Sequence, residues 1–227
     1  MKTAAFPQLH VHEMWTVFDD SNVPVIEIRC IWPKGIEPSR GTTSRCFDQG
    51  HYQSEQAFRS AVESYVTQMN HQGFNLYATL NPIKAGMGQF SSAKDIDVIC
   101  RRRLLIDIDR DSGKGHPATD SEIDAAKALG DQIASHFDCL GWPAPVRIMS
   151  GNGYHLIYPL DDLPTSKEVT SSIKDLLHTL KTTFSNNGLS VDTTVSNASR
   201  VTKIPGTLAR RGTEITNHPY RVAGIYA

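Results

Sequence analysis

The segment RRLLIDIDRD (102–111) places two acids within an otherwise apolar strand. Successive side chains of a strand point to opposite faces, so the leucine and isoleucine side chains face the core while Asp107 and Asp109 share the open face. Two carboxylates this close repel each other, and a divalent cation between them removes the repulsion. Few, hard oxygen ligands suit Mg²⁺ or Mn²⁺, with phosphates completing the shell. The segment therefore predicts a metal site on a sheet, and a solvated acid pair is the alternative.

The chain around this strand alternates strands and helices in an order that indicates an α+β fold. Strands are predicted where β-branched residues alternate with others, and helices where a capped segment carries an apolar stripe. The predicted strands are 23–32, 74–82, 102–111, 145–150, 154–160 and 189–195, and the predicted helices are 54–73, 119–141 and 165–188. We expect Ser54 to cap the first helix, and Asp120 or Ser121 to cap the second.

The second half of the chain follows the order β-α-β-β-α-β, which is that of the ferredoxin-like split unit shared by RNA-recognition-like sheets. Its central hairpin turns through Gly-Asn-Gly, a strong turn signal. The first half supplies a smaller αβ unit, with a Gly- and Ser-rich loop at 84–95. We therefore expect one domain, in which an RNA-recognition-like (split β-α-β) catalytic sheet at 101–227 packs with an N-terminal αβ unit at 1–100.

Asp192 is the candidate for a third metal ligand. It follows Val191 in a short strand that the split topology can place beside the acid-pair strand. Three carboxylates around two metals are the usual arrangement for phosphoryl transfer. An aspartate before two threonines is also a common turn residue, so this assignment depends on the acid pair.

The segment SGNGYH (150–155) is a candidate phosphate site. Its glycines let backbone amides approach an anion closely, and a serine and a histidine flank the turn. A histidine one residue into a strand is otherwise a satisfied partner within the sheet. Beside a carboxylate pair we favour the phosphate role. The predicted nucleotide-binding residues here are Ser150, Gly151, Asn152, Gly153 and His155.

The segment NASRVTKIPGT (197–207) is a second candidate for nucleotide binding. Arg200 and Lys203 lie three residues apart, and Pro-Gly-Thr fixes a turn after them. Arginine can fork onto phosphate oxygens, while lysine acts as a point charge. The alternative is a surface turn that happens to carry two basic residues.

The charge distribution is more informative than the net charge. The chain has 23 Lys and Arg against 24 Asp and Glu, and a net charge of −1 does not by itself indicate a nucleic-acid binder. The arginines, however, cluster next to the acid-pair strand and in the C-terminal stretch, which suits a phosphate-rich partner. A solvated, salt-bridged surface is the alternative. The predicted nucleic-acid contacts are Arg101, Arg102, Arg103, Arg210 and Arg211.

The cysteines and the N-terminus indicate the compartment. Cys30, Cys46, Cys100 and Cys139 form no CxxC pair, so we expect reduced, buried thiols and no zinc site. The first residues lack the apolar region of a secretory signal. No apolar run approaches the roughly 20 residues of a membrane helix. We therefore expect a cytoplasmic protein without a membrane partner.

Taken in order, these motifs resemble those of the archaeo-eukaryotic primase superfamily, in particular the primase-polymerase domains of plasmids, phages and mobile elements. The matching stretches are TLNPIK (79–84), LLIDIDRD (104–111), SGNGYHLIY (150–158) and VDTTVSNASRVTKIPGT (191–207). The first 70 residues carry no sharp motif. The resemblance implies a template-directed nucleotidyl transferase, a DNA primase or DNA polymerase of replication or repair.

The resemblance also implies roles for individual residues. Asp107, Asp109 and Asp192 would hold two Mg²⁺ or Mn²⁺ ions, and Ser150 and His155 would contact the phosphates of the incoming nucleotide. The basic residues at 200 and 203 would lie nearby. The expected partners are a single-stranded or primed DNA template, ribo- or deoxynucleoside triphosphates, and a helicase or accessory domain C-terminal to this region.

Two other functions compete with this interpretation. His10 and His12 match a His-apolar-His metal motif, and Tyr65 on a helix could serve as the nucleophile of a rolling-circle nicking endonuclease. An RNA-recognition-like module that binds single strands without catalysis is the second alternative. Such modules stack bases on exposed aromatics of the sheet, whereas the corresponding strand here carries Asp107 and Asp109.

Overall fold

Two antiparallel sheets with helices on their outer faces form the structure, a computed structural model that describes residues 7–19, 25–185 and 188–226. The first sheet has the strand order β2-β1-β3-β8. Its strands are β1 (Val25–Ile31), β2 (Thr42–Asp48), β3 (Asn75–Thr79) and β8 (Val201–Lys203), and its helices are α1 (Trp15–Phe18) and α2 (Glu55–His71). Because β8 comes from the second half of the chain, residues beyond the expected boundary at residue 100 complete the first sheet.

The second sheet confirms the split unit expected from the sequence. Its strand order is β11-β5-β6-β4-β7, with all neighbouring strands antiparallel. The elements are β4 (Arg101–Arg110), α3 (Asp120–Cys139), β5 (Val146–Met149), β6 (Tyr154–Leu163), α4 (Lys167–Phe184), β7 (Leu189–Val191) and β11 (Gly224–Tyr226). A ribbon of β9 (Leu208–Ala209) and β10 (Arg221–Val222) connects the two sheets. The α+β class is therefore confirmed.

The acid-pair strand β4 lies at the centre of this second sheet, between β6 and β7. Its apolar side chains are buried, with Ile106 and Ile108 fully enclosed against the side of the sheet that α3 and α4 cover. Truncating such a residue to alanine typically costs about 2–5 kcal/mol. This packing fixes the register of β4, so the odd-numbered acids point to the opposite, uncovered face.

The helix caps follow the sequence with one correction. Ser54 caps α2 as predicted, its hydroxyl accepting from the amide of Ala57 at 3.1 Å. The cap of α3 is Thr119 rather than Asp120 or Ser121, because Glu122 three residues on completes a reciprocal capping box with Thr119. No helix among the described residues is long and apolar enough to cross a membrane.

The Gly- and Ser-rich segment at 84–95 covers one end of the uncovered face of the first sheet. Buried Glu27 on β1 holds it there by accepting from the amide of Ala93 at 2.8 Å, while its other oxygen accepts from the hydroxyl of Ser44 on β2. The other end of that face remains open toward the second sheet. Of the four free thiols three are buried, but Cys139 at the end of α3 is exposed, contrary to expectation.

Candidate active site

A cavity of about 320 Å³ lies between the uncovered faces of the two sheets. The second sheet contributes acids and the first sheet contributes cations and aromatic rings. Most of the residues predicted from sequence line this one space. They are Asp107, Asp109, Ser150, Asn152, Gly153, His155, Asp192, Arg200, Lys203, Arg210 and Arg211.

The three aspartates come together through the pairing of β4 with β7. Ile108 is opposite Val191 in the antiparallel register, and the amide of Asp192 donates to the carbonyl of Asp107 at 2.8 Å. Asp192 therefore follows β7 directly beside the acid pair. The split topology predicted this neighbourhood, although a short, three-residue β7 is all that supports it.

Each of the three carboxylates is bonded to a protein group. Asp107 Oδ1 lies 3.3 Å from His155 Nε2, Asp109 Oδ2 lies 3.1 Å from Lys114 Nζ, and Asp192 Oδ1 accepts from the amide of Thr194 at 2.8 Å. Each carboxylate thus has its own partner within the protein. No group of three or more histidine, cysteine or acidic side chains within 7–19, 25–185 and 188–226 is arranged to hold a metal as it stands.

The chemistry of the donor set nevertheless fits a divalent cation. Asp107 and Asp109 share one face of β4, and Asp192 lines the same cavity from the adjacent strand. All three supply hard oxygen ligands, which suit Mg²⁺ or Mn²⁺ better than zinc. A metal bound here would be held by Asp107, Asp109 and Asp192.

His155 lies directly across from Asp107 in the pairing of β4 with β6. Its ring is buried, and its Nδ1 is hydrogen-bonded to the hydroxyl of Thr202 at 3.1 Å, so the ring orientation is fixed from the first sheet. Burial would raise the pKa of Asp107, but the charge and hydrogen bond of His155, aided by Arg200 and Lys114, hold it below its usual range. Asp107 is therefore ionised at neutral pH.

Lys203 is the most unusual group in the cavity. Its side chain is 2% exposed, and its ammonium has no hydrogen-bond partner among the described residues. The ammonium lies over the ring of Tyr77, 5.6 Å from its centroid. Burial, together with the charge of Arg210, lowers the pKa of Lys203 to about 7. An unpaired buried ammonium is costly, and such groups concentrate at functional sites.

Three arginines extend the cationic side. Arg200 donates to the carbonyl of Thr194, while its Nε is buried without a hydrogen-bond partner in the described part of the chain. The backbone of Arg210 is held by both halves of the Asn75 amide, at 2.8 Å each. Arg211 Nη1 reaches to 3.8 Å from Asp109 Oδ2. Asn75 thus anchors the segment that carries two of these charges.

The glycine turn at 150–153 has a different physical basis from the one expected. A Cβ on Gly151 would overlap Ala209, and one on Gly153 would overlap the carbonyl of Ile108, so both glycines are needed for close backbone packing. The amides of Ser150 and Gly151 are already bonded, to the Gly153 carbonyl and to a methionine sulfur. Gly151 does not line the cavity, unlike the other predicted residues of the turn.

The Arg101–Arg103 cluster occupies the opposite end of β4 and does not line the cavity. Arg101 is buried and donates to the carbonyl of Ser196 and to a threonine hydroxyl. Arg102 forms an ion pair with Asp162 at 2.6 Å, and Arg103 donates to a carbonyl of the first sheet. Burial of Arg101 argues against its predicted nucleic-acid contact, whereas the contacts of the half-buried Arg102 and Arg103 stay a prediction.

Several cavity residues were not anticipated. Trp32 and Lys34 follow β1, and Tyr77 projects from β3, where single residues in strands carry no motif. Asn75 also could not be identified from the sequence, because it is a single residue of β3 without a motif. Lys114 contacts Asp109 without lining the cavity, and it had a detectable signal, because it lies in a Gly-Lys-Gly sequence just after the acid-pair strand.

The two histidines and the tyrosine of the nicking-endonuclease alternative do not form a common site in the described residues. His10 precedes a 3-10 turn at Val11–Met14 instead of lying in a strand, so the two histidines do not share a sheet face. The hydroxyl of Tyr65 accepts from the thiol of Cys30 at 3.6 Å, on the core side of the first sheet. Burial raises the pKa of this tyrosine, which disfavours a nucleophilic phenolate. The described residues therefore do not bring these groups together as a nicking site would require.

Comparison with known proteins was informative at the level of structure. No family model matches the chain, and no curated protein sequence does. The AEP domain of the cyanophage S-2L primase-polymerase is similar at TM-score 0.57 and 15% identity, over 97% of this chain and 91% of that one. The polymerase domain of Mycobacterium tuberculosis Ligase D, solved in complex with DNA, gives 0.53 and 17%, over 96% and 78%.

A third solved structure, the primase RepB', is similar at TM-score 0.51 and 11% identity, and this chain spans 56% of its length. All three similar structures are primase or polymerase domains, and each alignment covers nearly the whole of the present chain. The two-sheet arrangement around the acid-lined cavity is therefore the fold of the AEP primase-polymerase domain.

Proposed function

We propose that this chain is a template-directed nucleotidyl transferase, a DNA primase or DNA polymerase, that uses Mg²⁺ or Mn²⁺ and nucleoside triphosphates. One observation carries the proposal. A buried ammonium without a hydrogen-bond partner in the described residues, that of Lys203, faces the same cavity as three carboxylates. A polyphosphate bound together with divalent cations would satisfy both sides at once.

The division of charge in the cavity suits phosphoryl transfer. The 3′ hydroxyl of a primer loses its proton to water and its oxygen bonds to the α-phosphorus, while the bond to the bridging oxygen of the β-phosphate breaks and pyrophosphate leaves. When bound, divalent ions supply charge neutralisation and lower the pKa of the attacking hydroxyl. Asp107, Asp109 and Asp192 would hold these ions. Catalysis then depends on positioning and electrostatics, with no covalent step on the protein.

The groups opposite the acids would orient the triphosphate. Lys203 and Arg200 both offer charge that existing contacts leave unsatisfied, on the ammonium and on the guanidinium Nε respectively. His155 has both ring nitrogens engaged, Nδ1 with Thr202 and Nε2 with Asp107, so it would contact a phosphate only after releasing Asp107 to a metal ion. Such preorganised groups cost little reorganisation when the phosphates arrive.

DNA is the proposed template, since one of the similar folds was solved in complex with DNA. Lys34, Arg210 and Arg211 line the rim and wall of the cavity and provide the positive charge that a phosphate backbone needs. We place the protein in DNA replication or repair, where it would act with a helicase or another accessory domain.

Primer extension tests the proposal. Primed and unprimed templates are incubated with ribo- or deoxynucleotides, with Mg²⁺, with Mn²⁺ or with neither. We expect metal-dependent extension that Asp107→Asn and Asp109→Asn abolish. Asp162→Asn, which changes an acid outside the cavity, is the matched control. Metal-independent binding of single strands without any synthesis would instead indicate a non-catalytic module.

A further inference from the structure

A glycine-flanked lysine contacts the acid pair from outside the predicted motifs. The loop between β4 and α3 has the sequence Asp-Ser-Gly-Lys-Gly-His at 111–116. Lys114 Nζ lies 3.1 Å from Asp109 Oδ2, and its side chain is 47% exposed. Asp109 Oδ1 accepts from the amide of Arg110 at 2.9 Å, so the lysine contacts the other carboxylate oxygen.

The loop is anchored on both sides of the lysine. Before it, the amide of Asp111 donates to the carbonyl of Gly188 and the carboxylate accepts from Ser190. After it, Gly115 packs backbone to backbone against Gly212, and the carbonyl of His116 accepts from Arg110. The lysine therefore lies on a short tip between fixed points.

Asp109 can bind a divalent ion through this oxygen only if the lysine leaves it. A divalent ion about 2 Å from this oxygen and an ammonium 3.1 Å from it would repel each other. Arg211 is farther from Asp109, at 3.8 Å, and its segment is fixed through Asn75, whereas Lys114 has a flexible four-carbon stem and glycines on both sides. Lys114 is thus the cation that can move.

We propose that Lys114 is a movable counter-cation, which neutralises Asp109 in the free protein and passes to the polyphosphate of the nucleotide when metal and nucleotide bind. The inference rests on the proposed nucleotidyl transfer site. It gives Lys114 two opposite effects: the lysine competes with the metal at Asp109, and it contributes charge to the binding of the triphosphate. If the lysine had only a structural role, its removal would weaken the binding of both metal and nucleotide.

Direct binding measurements separate these effects without relying on activity. Mn²⁺ alone is titrated into the protein and free Mn²⁺ is counted by electron paramagnetic resonance; dATP is then titrated at saturating Mn²⁺ without primer or template. For Lys114→Met we expect Mn²⁺ binding about 3- to 10-fold tighter and dATP binding about 3- to 10-fold weaker. Lys114→Arg keeps the charge and should stay near wild type for both.

The control is Lys127→Met, which removes a comparable charge from α3, where Lys127 pairs with Asp131 outside the cavity. It should leave both affinities unchanged, and urea unfolding shows that each variant is folded. Weaker or unchanged Mn²⁺ binding by Lys114→Met, or unchanged dATP binding, would overturn the proposal for Lys114. Absence of Mn²⁺ and dATP binding in the wild type would overturn the proposed function itself.

Discussion

Replacing Lys203 by methionine tests whether the buried ammonium that would bind an anion lowers the stability of the free protein. The ammonium is buried beside Arg210, and its pKa falls from 10.5 to about 7. Each pKa unit corresponds to about 1.4 kcal/mol, so the charged form is disfavoured in the folded protein by roughly 5 kcal/mol. Methionine fills a similar volume without charge. Allowing for the lost contact with the Tyr77 ring, we expect Lys203→Met to raise the free energy of unfolding by about 3 kcal/mol at pH 6.

The sign of the pH dependence follows from proton binding. Between about pH 7 and pH 10.5 the unfolded chain binds the lysine proton and the folded chain does not, so the wild type becomes more stable as the pH rises through this window. The penalty is complete below pH 7 and disappears above pH 10.5. The stability gain of Lys203→Met should therefore be largest at pH 6 and clearly smaller at pH 9.

Urea unfolding of wild type and Lys203→Met at both pH values, without metal or nucleotide, measures this effect. Lys127→Met, which removes an exposed charge, serves as the control and should change stability little. The same Lys203→Met protein should bind dATP at least about tenfold more weakly. A variant that is no more stable at pH 6, or equally stabilised at pH 6 and pH 9, would show that the ammonium is not an unpaired buried charge.

Three further substitutions distinguish binding groups from structural ones. His155→Ala should weaken dATP binding roughly tenfold or more, while fluorescence titrations should show single-strand binding within about twofold of wild type. Equal losses of dATP and single-strand affinity would show that the histidine is structural. Arg101→Met should lower the free energy of unfolding by about 2–3 kcal/mol without changing the salt dependence of DNA binding, and a flatter salt dependence would restore it as a DNA contact. Gly151→Ala should lower the melting temperature in thermal unfolding, because the φ of 97° at this position is unfavourable for alanine and Ala209 leaves no room for a Cβ. An unchanged melting temperature would contradict this packing.

The sequence was sufficient where local pattern and topology agree. Alternation in β4 placed Asp107 and Asp109 together, because apolar neighbours fix which face is buried. The order of the split unit then placed β7, and with it Asp192, next to β4. Neither step required knowledge of long-range packing, since both follow from strand periodicity and from the connections that a split unit permits.

The sequence was insufficient where side chains depend on distant partners. Strand β2 carries mainly polar residues, and β8 has only three residues, so neither has a pattern that predicts its place in the first sheet. The position of Lys203 opposite Tyr77 follows from β8 and was therefore hidden. Arg101 was expected on the surface, because a run of arginines normally lies there. It is buried instead, and its guanidinium donates to Ser196 and Thr170, which are distant in sequence.

Single-nucleotide incorporation on a primed DNA template tests most directly whether the acids and cations of this cavity form one catalytic site. We expect incorporation by the wild type that requires Mg²⁺ or Mn²⁺ and stops on chelation. Asp192→Asn, which alters the acid beside β4 without touching the predicted pair, should reduce the rate by about 100-fold or more, while Asp162→Asn should leave it unchanged. Incorporation by Asp192→Asn at the wild-type rate, or by the wild type after complete removal of divalent ions, would contradict a metal-dependent site built from these residues.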